Sequence, residues 1–185
     1  MSRDFIHTVA SIKLRVLDWA QDALYLIVRG HWGYAFAQAG YGKLTHLETP
    51  IAFFTKLGIP APKVNAIMAG SAECFGGALL ALGLCARPAG FVLSFVMAVA
   101  YYTADHEALV NVFKDPDKFT EATPFLFLLT ALLVLTHGPG MLSLDALLVR
   151  LLRDRVSPTF LALWVGRGTA ERILGRTTEQ AQAGR

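Results

Sequence analysis

The run VNAIMAGSAECFGGALLALGLC, residues 64–85, holds one charged residue, Glu73, in an otherwise apolar and small-residue stretch. At ~1.5 Å rise per residue, about 20 helical residues cross a ~30 Å hydrocarbon core, and this run suffices. Pro60 and Pro62 lie just before it and Arg87-Pro88 just after, so both ends are punctuated as helix ends are. Three further apolar runs, at 19–41, 88–103 and 122–137, approach the same length, the last two being short and extending into their flanks. Asp115-Pro116-Asp117 breaks the chain before the last run and Gly138-Pro139-Gly140 ends it. Pro124 falls in the first turn of that helix, where a missing N–H costs little. The expected fold class is all-α, an integral membrane four-helix antiparallel bundle. Its membrane domain is 19–148, with an amphipathic arm at 1–18 and a basic tail at 149–185.

Composition agrees with that reading. Hydrophobic residues make up 54% and charged residues 17%, against ~45–50% and ~25% in soluble proteins. The balance excludes a disordered chain, a disulfide-laced secreted module and a nucleic-acid-binding domain. The net charge is only +3, and seven of the 17 basic residues fall between Arg150 and Arg185, which reads as an orientation signal. Arg3, Lys13, Arg15, Arg87 and the tail stand against Lys43, Lys56, Lys63, Lys114 and Lys118 in the other loops. That bias predicts a multi-pass inner-membrane protein with both termini cytoplasmic. The first nineteen residues include Arg3, Asp4, Lys13, Arg15 and Asp18 without a small-residue cleavage site, so no signal peptide is expected. Cys74 and Cys85 sit ~16 Å apart along one helix, too far for a disulfide, which needs Cα atoms within ~7 Å.

Two flanking segments read as interfacial. Phe5, Val9, Ile12, Val16 and Trp19 repeat at helical spacing in the arm. In the tail, Phe160, Leu161, Leu163, Trp164 and Val165 precede Arg167, Arg172 and Arg176. Both suit amphipathic pieces on the cytoplasmic leaflet or docked on a partner protein. A short outer segment near Pro50–Leu57 is expected to form an interfacial helix.

Charge inside the spans is the informative feature. Arg29 and Glu73 would each cost roughly 2.5–3.5 kcal/mol at a helix centre. Measured from the run ends, Arg29 is ~15 Å deep and Glu73 ~14 Å deep from the opposite side, at ~1.5 Å per residue. The depths coincide, so an Arg29–Glu73 ion pair is expected, either as structural glue fixing register and topology or with Glu73 as a candidate catalytic, proton-carrying or ligand-binding carboxylate. Arg29, Gly33, Phe36, Gly40 and Lys43 share one helix face, as do Ala66, Gly70, Glu73, Gly77 and Leu80. Small residues there let the helices pack closely in lipid.

At these residues the sequence resembles the DoxX family of small four-span membrane proteins. The resemblance is carried by Arg29-x3-Gly33-x2-Phe36-x3-Gly40-x2-Lys43, then Phe54-x3-Gly58-Ile59-Pro60, then Glu73-x2-Gly76-Gly77, Gly83-Leu84 and Arg87. It closes on Gly138-Pro139-Gly140-x2-Ser143-Leu144-Asp145 and covers about Asp22 to Leu148. It implies packing roles for Gly33, Phe36, Gly40, Lys43, Gly76 and Gly77. It also implies a membrane partner of redox systems, including thiosulfate–quinone oxidation and thiol or superoxide defence, or else an assembly factor or a metal-responsive protein.

Other sites are weaker. His46, His106 and Glu107, with Asp105, Glu48 and Glu121 nearby, could form an outer carboxylate–imidazole metal site, but the spacing fits no specific motif. His31 reads as an interior hydrogen-bonded group, and Cys74 as an inert buried thiol. Phe91, Phe95, Tyr101, Tyr102, Phe125 and Phe127 could flank a quinone ring, with Tyr101 and Tyr102 in an outer aromatic belt. No phosphate loop, Ser-His-Asp set or haem attachment motif occurs.

The leading functional expectation is a non-catalytic accessory or scaffolding subunit of a membrane redox complex, with the lipid bilayer and a protein partner as its surroundings. The first alternative is a quinone-linked oxidoreductase, or its membrane subunit, with Glu73 as proton acceptor and a quinone as cofactor. The second is a small-solute or proton transporter, which in four short spans would call for a homo-oligomer.

Overall fold

The computed structural model describes residues 3–152, 155 and 157–183, with side chains from 16 to 175 except those of 18, 153, 154, 156 and 158. The described elements are all helical. They run α1 (Arg3–Thr45), α2 (Glu48–Lys56), α3 (Pro62–Leu82), α4 (Ala86–Thr103), α5 (His106–Val110), α6 (Pro116–Glu121), α7 (Pro124–His137), α8 (Leu144–Leu152), α9 (Pro158–Val165) and α10 (Arg167–Ala183). Helices α3, α4 and α7 start within two residues of the apolar runs read from sequence.

Local chemistry sets these ends. Pro62 and Pro124 occupy first turns, where no N–H is needed. Helix α3 stops at Gly83, whose φ of +67° lets its N–H reach Leu80 O and the next N–H reach Leu79 O. Helix α4 lacks a side-chain cap of its own. Asp145 supplies one from far along the chain, accepting from the N–H groups of Cys85 and Ala86 at 2.9 Å each.

Helix α1 packs along α3, α3 against α4, α4 against α7, and α7 back against α1. Phe36, Leu80, Leu93, Met97, Ala131 and Val134 fill the space they enclose. The α1–α3 contact is backbone to backbone. A Cβ at Gly33 would lie 2.5 Å from Ala81 N, one at Gly40 2.7 Å from Cys74 Cα, and one at Gly77 2.7 Å from Gly33 O. Gly76 faces Leu93 of α4 instead. The small-residue faces expected from sequence are therefore the ones that meet.

Buried charge and exposed large apolar side chains occur together. Arg29, Glu73 and Asp145 are 1%, 2% and 0% exposed, while Phe75, Phe91, Phe95 and Ile27 each expose more than half their surface. By length and hydropathy α3 is the one described helix that suffices to cross a membrane, and α7 is apolar but shorter.

Two sequence expectations are corrected. The first run does not begin at Trp19 as a separate span, because arm and span form one helix of 43 residues, ~64 Å long at ~1.5 Å per residue. Val16 and Trp19 are exposed on it, whereas Phe5, Val9 and Ile12 lie outside the residues whose side chains are described. The tail does not merely lie flat. Helices α8, α9 and α10 bury Ala146, Val149, Leu161, Val165, Ala170 and Ile173 in a second small core. Arg172 ties α10 to Asp22 of α1 at 2.9 Å. Half of the apolar tail face thus covers the protein itself, and Phe160 and Leu163 remain exposed.

Candidate functional site

Helix α3 carries Glu73 at a position where the glycine contacts have already drawn α1 within backbone distance. One turn beyond Gly40, Lys43 can then reach across, and its Nζ donates to Glu73 Oε1 at 2.5 Å and Oε2 at 2.6 Å. The carboxylate is enclosed and the ammonium about one-third exposed.

Arg29 and Glu73 are not brought together. The contacts of Gly33 with Ala81 and Gly40 with Cys74 set a register that places Arg29 level with Gly83 and Glu73 level with the stretch just before Lys43. Gly83 closes the helix that carries Glu73, so the two charges are ~15 Å apart along the axis at ~1.5 Å per residue. The depth estimate failed because it counted from Trp19, whereas α1 runs on unbroken and its apolar run does not mark a helix end. Arg29 instead binds backbone. Its Nη1 donates to Pro139 O, and its Nη2 to Leu142 O at 2.9 Å. The guanidinium holds the loop after α7, and Asp145 lies near enough to attract it. Asp145 in turn accepts from Trp164 Nε1 at 2.9 Å, besides capping α4.

Two cavities adjoin Glu73. One of about 360 Å³ is lined by Phe36, Phe53, Met97, Phe127 and Asp105 among others. The second, of about 280 Å³, lies among Phe53, Phe54, Met68, Phe95, Val96 and Val99. Phe53, Glu73, Ala100 and Ala104 belong to both, so the carboxylate stands between two largely apolar chambers. Such a site suits a molecule with an apolar body and one polar head. A quinone fits the residues that line them, with its ring and chain against Phe53, Phe54 and Phe95 and a polar edge beside Glu73.

The remaining sequence candidates fall elsewhere. Of the aromatic set, Phe95 and Phe127 line the chambers, Phe91 and Tyr102 are exposed, and Tyr101 is buried with its hydroxyl on Phe119 O at 2.8 Å rather than in a surface belt. His46, His106 and Glu107 do not converge. His46 contacts Thr45, His106 packs edge-on against Tyr102, and Glu107 pairs with Lys118 at 3.3 Å. Among the described residues no group of three or more His, Cys, Asp or Glu could hold a metal ion, so the expected outer metal site is withdrawn. That hydrogen-bonded pair of Lys118 with Glu107 holds the Lys118 ammonium above its ordinary pKa. His31 is exposed, against Trp32, not interior.

Sequence reasoning placed Lys43 on the right face but gave it only packing. The register, set by Gly40, was the missing signal. The capping role of Asp145 had no local signature, and Asp22–Arg172 joins residues too far apart for any spacing rule.

A family model described as DoxX matches residues 24–106. The matched span holds Lys43, Glu73, α2, α3 and α4, and leaves out Asp145 and the helical tail. No curated protein and no solved structure matches the chain.

Proposed function

We propose, from the match of residues 24–106 to the DoxX family model, that this chain is a DoxX-family membrane protein and the membrane-embedded subunit of a redox complex, with Glu73, held by Lys43, as its site for a lipophilic redox molecule. On this reading α1, α3, α4 and α7 span the inner membrane and both chain ends are cytoplasmic. The Lys and Arg bias between loops and the lipid-like exterior support that placement.

The observation that carries the proposal is the buried Glu73 carboxylate, held by the part-exposed Lys43 and standing between two apolar chambers. A charge pair of this kind is costly inside a membrane, and here it is open to space rather than sealed by packing. A quinone held there supplies two-electron, two-proton chemistry. Lys43, outside the lining of both chambers, holds the Glu73 carboxylate in place. Glu73 takes or gives a proton at Oε, and its link to the partly exposed Lys43 offers that proton a way toward the outer side. The phenylalanines exclude water and admit an apolar body.

Trp32 provides a readout, since its ring is 5.1 Å from that of Phe127, which lines the larger chamber. A short-chain benzoquinone titrated into the purified protein is expected to quench Trp32 fluorescence saturably, and Glu73→Gln to weaken that binding by roughly tenfold while the protein stays folded. Equal quenching of both proteins, or none with the native chain, overturns the site.

A second reading, an accessory subunit that binds no ligand, is favoured by the Arg29 and Asp145 contacts, which are directed chiefly at backbone groups. Isolation of the tagged protein from its own membranes with a stoichiometric redox partner, but without any quinone effect, selects that reading.

A further inference from the structure

A cleft of about 890 Å³ lies where α10 docks, between Arg87 at the start of α4, Thr136 and His137 at the end of α7, and Arg167 and Arg172 of α10. None of its described lining residues is an acid. Arg172 is compensated by Asp22, which takes Nη1 at 2.9 Å and Nη2 at 3.1 Å. Arg87 is held in another way. Its Nε, Nη1 and Nη2 donate to the carbonyls of Leu135, Leu163 and Thr136 at 2.8, 2.7 and 3.2 Å. Carbonyls fix the position of the guanidinium without cancelling its charge, and two of its five N–H groups remain. Arg167 is exposed and forms no ion pair among the described residues. Glu171, one helical turn along, is not part of the lining.

Two guanidinium charges without a carboxylate partner thus share one concave, hydroxyl-bearing site with Thr159 and Thr169. A phosphate oxyanion is what such an arrangement binds best. Inorganic phosphate and a lipid headgroup both offer that chemistry, and the surroundings choose between them. Phe91 follows Arg87 by one turn of α4, Leu132 precedes Thr136 by one turn of α7, and Phe160 and Leu163 flank the cleft on α9. All four side chains are exposed. Acyl chains would cover that apolar surface, and a free anion would leave it bare. The geometry points to this cleft as a site for an anionic phospholipid, its phosphate between Arg87 and Arg167 and its chains along Phe91 and Leu132. The tail, on this view, is a lipid-reading cap built onto the membrane domain.

The test uses the full chain purified in neutral detergent and mixed with phosphatidylglycerol, phosphatidylcholine or inorganic phosphate, with native mass spectrometry and thermal unfolding as readouts. Phosphatidylglycerol is expected to stay bound under activation that strips phosphatidylcholine, and to raise Tm where millimolar phosphate does not. Arg167→Glu should cut phosphatidylglycerol occupancy by roughly tenfold or more, whereas Arg150→Glu, exposed on α8 outside the cleft, should leave it unchanged. Arg167 is at the surface, so lipid-free Tm values of the two variants should match that of the native chain. Equal retention of the two lipids, occupancy indifferent to Arg167→Glu, or the same Tm rise with inorganic phosphate alone overturns the proposal.

Discussion

Arg29 and Glu73 carry opposite charges on neighbouring helices and are buried to the same degree, yet their surroundings differ in kind. Around Arg29 the polar atoms are directed at backbone. Two carbonyls of the loop after α7 accept from the guanidinium, and Asp145 takes the N–H groups that start α4. Around Glu73 the partner is a single flexible side chain, and the remaining neighbours are apolar walls with space between them. A buried charge clamped to backbone fixes where helices sit, and its removal leaves several groups without partners. A buried charge held by one lysine beside a cavity can change partner or protonation without dismantling the fold. The first end is therefore read as framework and the second as a site.

The sharpest way to break this contrast is to remove each charge in turn. Arg29→Met strips the donors from Pro139 and Leu142 and leaves Asp145 without its nearby cation, so a loss of about 3–5 kcal/mol is expected. Glu73→Gln keeps shape and one acceptor, and Lys43 is exposed enough to turn toward water, so its cost should stay near ~1 kcal/mol. Denaturant unfolding of the purified proteins measures both. Equal costs would erase the distinction, and a larger cost at Glu73 would reverse it.

A second comparison lies within α1. A methyl at Gly40 would press into the backbone of α3, while one at Gly42 would meet nothing within 4 Å. Gly40→Ala is expected to cost ~1–3 kcal/mol and to draw Lys43 away from Glu73, so benzoquinone binding should fall with stability. Gly42→Ala should be neutral or stabilise by up to about 1 kcal/mol, since alanine is the better helix former. If Gly40→Ala lowers stability but leaves binding intact, the register does not set the site.

Much of the framework was legible before any coordinates. Apolar length and proline punctuation located α3, α4 and α7, and the spacing of Gly33, Gly40 and Gly77 identified the faces that pack. The pairing of charges was not legible, because it depends on the relative slide of two helices. Depth counted from the end of an apolar run assumes that run and helix end together, and α1 continues through Asp18 and Arg15 without a break. Lys43 looked like a loop residue by charge alone. Residues held by contacts across the whole chain, such as Asp145 at the start of α4 or Arg172 on Asp22, leave no local pattern to read. The second core formed by the tail was hidden for a related reason. An amphipathic helix shows that it has an apolar face, and not whether lipid or its own chain covers it.

The smallest expected effect tests the enclosure of the turn that Asp145 caps. Cys85 lies in the turn between α3 and α4, and its N–H donates to Asp145 Oδ1. Burial first, and the Asp145 charge second, push its thiol pKa above the ordinary value. A raised pKa leaves less thiolate at any given pH, so alkylation of the folded protein should be slower than of the denatured chain at pH 7. The difference should close only as pH climbs past the ordinary thiol range. Maleimide kinetics against pH, with Cys74→Ala to isolate the site, provide the measurement. A folded-state profile that coincides with the denatured one would mean that the turn between α3 and α4 does not enclose Cys85 beside Asp145, and the end of the molecule read as framework would lose the cap that ties α8 to the start of α4.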